Sequence, residues 1–166
     1  MQIEQSMVMI PTPDGQMPAF LFVPPGLNPK PAVLLLMEAF GLTSHIQEVA
    51  TRIANEDYVV LTPDLYYREL PNHTFSYDEV EQAMAMMYRL DFGEPIVADL
   101  QAALGQLKSR PDVNSSKVGV TGFCLGGGLT FLTACALPGE MAVAAPFYGM
   151  VLDEWIEAMP EIKVPM

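Results

Sequence analysis

Gly122-Phe123-Cys124-Leu125-Gly126-Gly127-Gly128 constrains this chain more than any other stretch. It follows the apolar run at residues 117–121 and opens the helix-compatible segment 129–136. Strand, tight glycine turn, nucleophilic side chain and helix therefore come in that order, which is the layout of a nucleophile elbow with cysteine at its tip. The glycines have a steric job. The residue at the tip sits at a strained backbone turn, and side chains at the flanking positions would collide with the neighbouring strand and helix. The turn lifts the sulfur above the sheet. The helix N-terminus behind it favours a thiolate and the oxyanion that forms in acyl transfer.

The rest of the chain alternates strands with helices. Residues 6–10 and 18–23 flank Pro13-Asp14-Gly15, a turn signal, and read as an antiparallel N-terminal hairpin. Residues 24–31 form a proline-rich loop. Residues 32–37 are a continuous apolar run, as in a strand covered on both faces. Ser44-x-x-Gln47 is a capping box for a helix whose apolar face is Ile46, Val49, Ala50, Ile53 and Ala54. Residues 58–61 are the next buried strand, ended by Pro63. Ser76-x-x-Glu79 caps a second helix, and Pro95 suits the first turn of a third with the stripe Ile96, Val97, Leu100, Leu104 and Leu107. Beyond the elbow come a strand at 142–148, a helical turn at 153–158, and residues 164–166, which read as a strand that has only begun. This order implies right-handed βαβ units, a mostly parallel sheet and helices on both faces.

The length of 166 residues predicts one domain spanning 1–166, long enough for a sizeable core. Apolar residues make up 51%, and the mean hydropathy is +0.25, so the core is large or some apolar surface expects a covering segment. No run is long and apolar enough to span a membrane, and the polar, acidic start lacks the layout of a signal peptide. The net charge of −12 opposes binding to nucleic acid or anionic membranes. Cys124 and Cys135 are far apart and show no metal spacing, so neither a metal nor another cofactor is expected. Cys135 lies in an apolar helical stretch as a small hydrophobe. Such cysteine usage suits a reducing, cytoplasmic compartment.

Five motifs in order resemble the dienelactone hydrolase family of the α/β-hydrolase superfamily, over nearly the whole length. They are Met37-Glu38-Ala39-Phe40-Gly41, Pro63-Asp64-Leu65-Tyr66, the elbow, Phe147-Tyr148-Gly149 and Ile162-Lys163-Val164-Pro165. The resemblance implies an α/β-hydrolase fold with a Cys-Asp-His triad that opens lactones or carboxylic esters through an acyl-enzyme, with no cofactor. It makes Cys124 the nucleophile and Glu38 the group that helps form the thiolate. It assigns the oxyanion donors to the backbone N–H groups of Leu125 and Ala39. In this chain order the triad acid and histidine follow the elbow, at positions that would lie beyond Met166. The expectation is therefore that the C-terminal strands and the triad Asp and His are missing from these residues.

Neither histidine reads as the base. His45 falls in the first turn of a helix, and His73 lies in the polar loop at 69–74. Asp64 precedes the nucleophile, and Asp153 follows it too early for the family's acid position. In the family, arginines meet the substrate carboxylate, one of them on the helix after the Asp-Leu-Tyr motif. Here residues 77–88 contain no lysine or arginine, although Arg68 and Arg89 flank them. The Met84, Met87 and Tyr88 face could equally line an apolar pocket. Three readings stay open: a cysteine hydrolase acting on a small ester or lactone; a hydrolase-fold relic or binding module that cannot turn over; and a lyase or transferase on the same fold. The strand at 142–148 is expected at or next to the sheet edge, where its apolar flank invites self-association.

Overall fold

The computed structural model of the chain describes residues 2–166. Strands β1 (Glu4–Thr12) and β2 (Gly15–Val23) form the hairpin signalled by Pro13-Asp14-Gly15, in register from Glu4↔Val23 to Thr12↔Gly15. β1 is an outer strand. Ile10 is buried against the core while Met7 and Met9 face solvent, the period-two pattern of a strand covered on one side. Strands β3 (Lys30–Leu36) and β4 (Val59–Pro63) lie at the centre. Leu34, Leu35 and Leu36 are all buried, as are Val59, Val60 and Leu61. Successive strand side chains point to opposite faces, so these consecutive buried residues require cover on both.

With β5 (Val113–Phe123) and β6 (Val143–Phe147), the sheet has the order β1-β2-β4-β3-β5-β6. β3 runs parallel to β4 and β5, and β5 runs parallel to β6; β2 meets β4 antiparallel. The mostly parallel sheet expected from the alternation is thus present. Helix α1 (Ser44–Asn55) connects β3 to β4 and packs on β4 and β2. Helices α2 (Val80–Met87) and α3 (Glu94–Lys108) lie between β4 and β5. Helix α4 (Leu125–Ala136) connects β5 to β6 and packs on both, touching α3. Helix α5 (Asp153–Glu157) follows β6.

Two caps differ from the sequence expectation. Thr43, one residue earlier than Ser44, caps α1: its Oγ1 accepts from the Ile46 N–H at 3.4 Å, and the Gln47 side chain turns back to donate to the Leu42 carbonyl. The Ser76-x-x-Glu79 box forms only its return half. The Glu79 carboxylate accepts from the Ser76 N–H at 2.8 Å, but these residues make a turn, and α2 starts at Val80. A local hydrogen bond can close a turn without propagating it into a helix.

The parallel core gathers the C-terminal ends of β3, β4, β5 and β6 along one side, where α/β sheets carry their ligands. Glu38, Asp64, Cys124 and Tyr148 all follow directly from those ends. β6 ends the sheet order, with Val143 and Phe147 exposed. The Ala144 N–H donates to the Pro165 carbonyl at 3.0 Å, so the segment expected to begin a strand near Val164 lies along the free edge of β6 without entering the ladder.

Candidate active site

The elbow is built as its glycines predict. Cys124 has φ 56° and ψ −120°, a conformation that L-residues adopt only under constraint. The constraint is packing. A methyl group on Gly122 would sit 2.5 Å from the Gly126 carbonyl, and one on Gly126 would overlap the Leu36 carbonyl of β3. The Cys124 N–H donates to the Phe147 carbonyl at 3.2 Å, and its carbonyl accepts from the Gly128 N–H, which opens α4. Sheet, elbow and helix therefore hold the strained residue from three sides.

The two expected oxyanion donors lie at the start of α4 and just past β3. Leu125 is the first residue of α4, and its N–H is one of the helix-end donors without an intrahelical acceptor. Ala39 is buried just past β3. Neither N–H donates to another group among the described residues. The peptide planes around Ala39 are pinned on both sides. The Glu38 carbonyl accepts from the Gly41 N–H at 3.0 Å, and the Ala39 carbonyl accepts from the buried Tyr66 hydroxyl at 2.8 Å. Gly41 has φ 84°, and a methyl group there would lie 2.7 Å from the His73 carbonyl, so only glycine closes this turn. Burial, then the nearby charges of Cys124 and Asp64, push the Tyr66 hydroxyl's titration far upward; it remains a committed donor.

Glu38 follows β3 half-buried, and its Oε2 is buried with no hydrogen-bond partner among the described residues. An unpaired buried carboxylate oxygen is costly, and such groups concentrate where chemistry needs them. Tyr148, at φ 39°, lies beside both Glu38 and Cys124. Burial raises its hydroxyl's titration first, followed by the negative charges of those two groups. The structure thus brings Glu38 and Cys124 to one tyrosine.

Cys124 opens into a cavity of about 220 Å³. Met84 and Met87 of α2, with Tyr88 just after it, form one wall, and Met150 and Trp155 form another. Phe92 meets Trp155 edge-on at 5.8 Å and closes the end.

The remaining candidates lie elsewhere. His45 is exposed on α1. His73 is exposed, stacks edge-on against Phe75 at 4.6 Å, and lines a separate pocket with Asp64. Asp64 is buried and accepts from the Tyr66 and Asn72 N–H groups at 3.0 and 2.6 Å. Its desolvation nevertheless raises its pKa above 3.8. Arg68 is held by Asp99 through two hydrogen bonds and by Asp14, and Arg89 by Glu69. Cys135 is buried with its thiol 3.6 Å from the Trp155 carbonyl, and burial pushes its pKa up. Among the described residues no cluster of histidine, cysteine and carboxylate side chains is placed to hold a metal ion, and no helix is long and apolar enough to cross a membrane.

Sequence reasoning missed the roles of Tyr66 and Tyr148, and the buried Asp99–Arg68 pair. The two tyrosines sit inside the motifs Pro63-Asp64-Leu65-Tyr66 and Phe147-Tyr148-Gly149, so a signal was there; what it lacked was the partner each hydroxyl meets. Asp99 carried no signal, because a carboxylate on the inner stripe of α3 makes sense only once Arg68 is seen to reach it.

A profile described as the dienelactone hydrolase family matches residues 17–166. The chain is similar to a carboxymethylenebutenolidase of Pseudomonas putida, at 32% identity over 161 residues, covering 95% of this chain and 66% of that protein. It is equally similar, at 32% identity over 161 residues, to a Synechocystis protein named "Putative carboxymethylenebutenolidase", covering 96% of this chain and 64% of that one. Among solved structures, one titled as a "Putative Dienelactone Hydrolase" from Klebsiella pneumoniae superposes with a TM-score of 0.79 at 27% identity, over 92% of this chain and 62% of that one. The chain thus spans under two thirds of the length of these relatives.

Proposed function

The chain belongs to the dienelactone hydrolase family, and on that premise we propose that it is the nucleophile-bearing part of a single α/β-hydrolase domain that cleaves small carboxylic esters or lactones through an acyl-enzyme on Cys124. One observation carries the reading. Cys124 is held at a strained φ of 56°, immediately before the first residue of α4, and lines a cavity.

The chemistry follows from that arrangement. Glu38 accepts the thiol proton at its buried, unpartnered Oε2, and the thiolate attacks the ester carbonyl carbon. The carbonyl π electrons move to oxygen, where the Ala39 and Leu125 N–H groups and the N-terminus of α4 stabilise the charge. Collapse of the tetrahedral species breaks the bond to the alkoxy oxygen. That oxygen takes the proton from Glu38 and leaves as the alcohol, with a thioester remaining on Cys124. Hydrolysis of the thioester needs a base for water. No histidine among the described residues lines the cavity.

The test is acylation by p-nitrophenyl acetate. The chain is expected to release one equivalent of nitrophenolate in a burst, to carry an acetyl group on Cys124 by peptide mass mapping, and then to stall. Cys124→Ser removes the burst. A burst that survives Cys124→Ser refutes the assignment, and sustained turnover that Cys124→Ser abolishes shows that a base exists within these residues.

A further inference from the structure

The cavity in front of Cys124 carries no positive charge. Its walls are thioethers, aromatic rings, the Leu125 side chain and backbone, and its polar side-chain groups are the thiol itself, the hydroxyls of Tyr88 and Tyr148 and the Trp155 indole N–H. Each lysine and arginine lies elsewhere. Lys30 pairs with Asp57, Lys108 with Glu140 and Arg110 with Asp112. Arg68 and Arg89, the two that flank α2, line a different cavity and are each bound to carboxylates. Arg52 faces the pockets beside α1, Lys117 lies at the opposite end of the sheet within β5, and Lys163 is exposed in the C-terminal segment.

A carboxylate-bearing substrate would therefore leave water for a site with no counter-ion. It would also approach Glu38, whose charge is felt at Tyr148 on the cavity rim, within a protein of net charge −12. The N-terminus of α4 does favour negative charge, but it points at the reacting carbonyl and acts on the oxyanion there, not on a remote substituent. An uncharged apolar group meets a different environment. Met84, Met87 and Met150 adapt to its shape, and the edge-on Phe92–Trp155 pair gives it a flat aromatic end. The volume of about 220 Å³ lies below that of pockets for drug-sized ligands and limits the group to a short chain or a single ring.

We propose that the Cys124 cavity, as these 166 residues form it, favours neutral esters or lactones carrying a small apolar substituent over substrates with a free carboxylate. This rests on the reading of Cys124 as the nucleophile.

Two matched pairs of reagents test it on the 166-residue chain. In the first, burst rates are compared for p-nitrophenyl butyrate and the mono-p-nitrophenyl ester of succinic acid. In the second, alkylation of Cys124 is compared for iodoacetamide and iodoacetate. Every rate is divided by that of N-acetylcysteine with the same reagent. The expected result is at least a tenfold preference for the neutral member in both pairs. Tyr88→Arg, at a side chain exposed enough to accept the change, brings a cation to the rim and is expected to narrow or invert the preference. A Cys124-dependent reaction with equal or faster normalised rates for the anions overturns the specificity and leaves the nucleophile standing. A burst that persists in Cys124→Ser overturns the nucleophile itself. The alkylation pair reports the charge preference even if no ester acylates the chain.

Discussion

Tyr66→Phe separates the positioning of an oxyanion donor from ordinary stability. Tyr66 is fully buried, and its hydroxyl donates to the Ala39 carbonyl at 2.8 Å. Removing that hydroxyl strands a buried carbonyl, which costs about 1–2 kcal/mol. Unfolding entropy of about 2.1 cal/mol/K per residue gives roughly 0.35 kcal/mol/K for a chain of this length, so Tm falls by about 3–6 °C. The kinetic effect has a different origin. The Ala39 peptide keeps its anchor through Gly41 on one side but loses it on the other, and its N–H drifts from the oxyanion position. Deleting such a donor outright costs about 100- to 1,000-fold, so misdirecting it is expected to slow the burst with p-nitrophenyl acetate by about tenfold. Because the Tyr66 titration is pushed well above its ordinary 10, the effect should be constant across neutral pH. Phe75→Leu is the control. Phe75 packs edge-on against Tyr66 at 6.4 Å, and its truncation lowers Tm without touching the Ala39 carbonyl. A Tyr66→Phe chain that melts earlier but acylates at the wild-type rate refutes Ala39 as donor, and an equal slowing in Phe75→Leu reduces the effect to general loosening.

Other expectations follow from single contacts. Asp99→Ala removes the fully buried partner of Arg68 and should cost about 3 kcal/mol, near the low end for breaking a buried pair because Asp14 still holds the guanidinium; differential scanning calorimetry should show Tm down by about 9 °C, and a shift under 3 °C would show the pair to be idle. In folded protein, iodoacetamide should modify Cys124 before Cys135, whose thiol is buried and pushed up in pKa; peptide mapping that finds Cys135 first would contradict the elbow assignment. The raised pKa of Asp64 means the folded state binds its proton more tightly than the unfolded state. Its contribution is therefore fully present below pH 3.8 and is lost as pH rises through the folded value. The stability penalty of Asp64→Asn, from urea titrations, should shrink as pH rises above 3.8, and a penalty that grows would reverse the argument.

Much of this molecule was written into local sequence. Consecutive buried residues in β3 and β4 announced strands covered on both faces, and a glycine turn between a strand and a helix announced the elbow. These signals are legible because each depends on residues close together along the chain: side-chain alternation within a strand, or the collision of a Cβ with the next turn. The motifs at residues 37–41, 63–66 and 122–127 carry the resemblance that implies roles for Glu38, Ala39, Cys124 and Leu125.

What sequence could not decide was which of these groups meet. Parallel pairing of β3, β4, β5 and β6 places four strand ends side by side, and only that juxtaposition puts the Tyr66 hydroxyl on the Ala39 carbonyl and Tyr148 beside both Glu38 and Cys124. The charges show the same division. The sequence supplied Arg68 and Arg89 next to α2 and left them free to serve a substrate, whereas the fold directs them to Asp99, Asp14 and Glu69 and leaves the cavity neutral. An ion pair forms between residues whose distance is set by packing across elements, and separation along the chain carries no record of it.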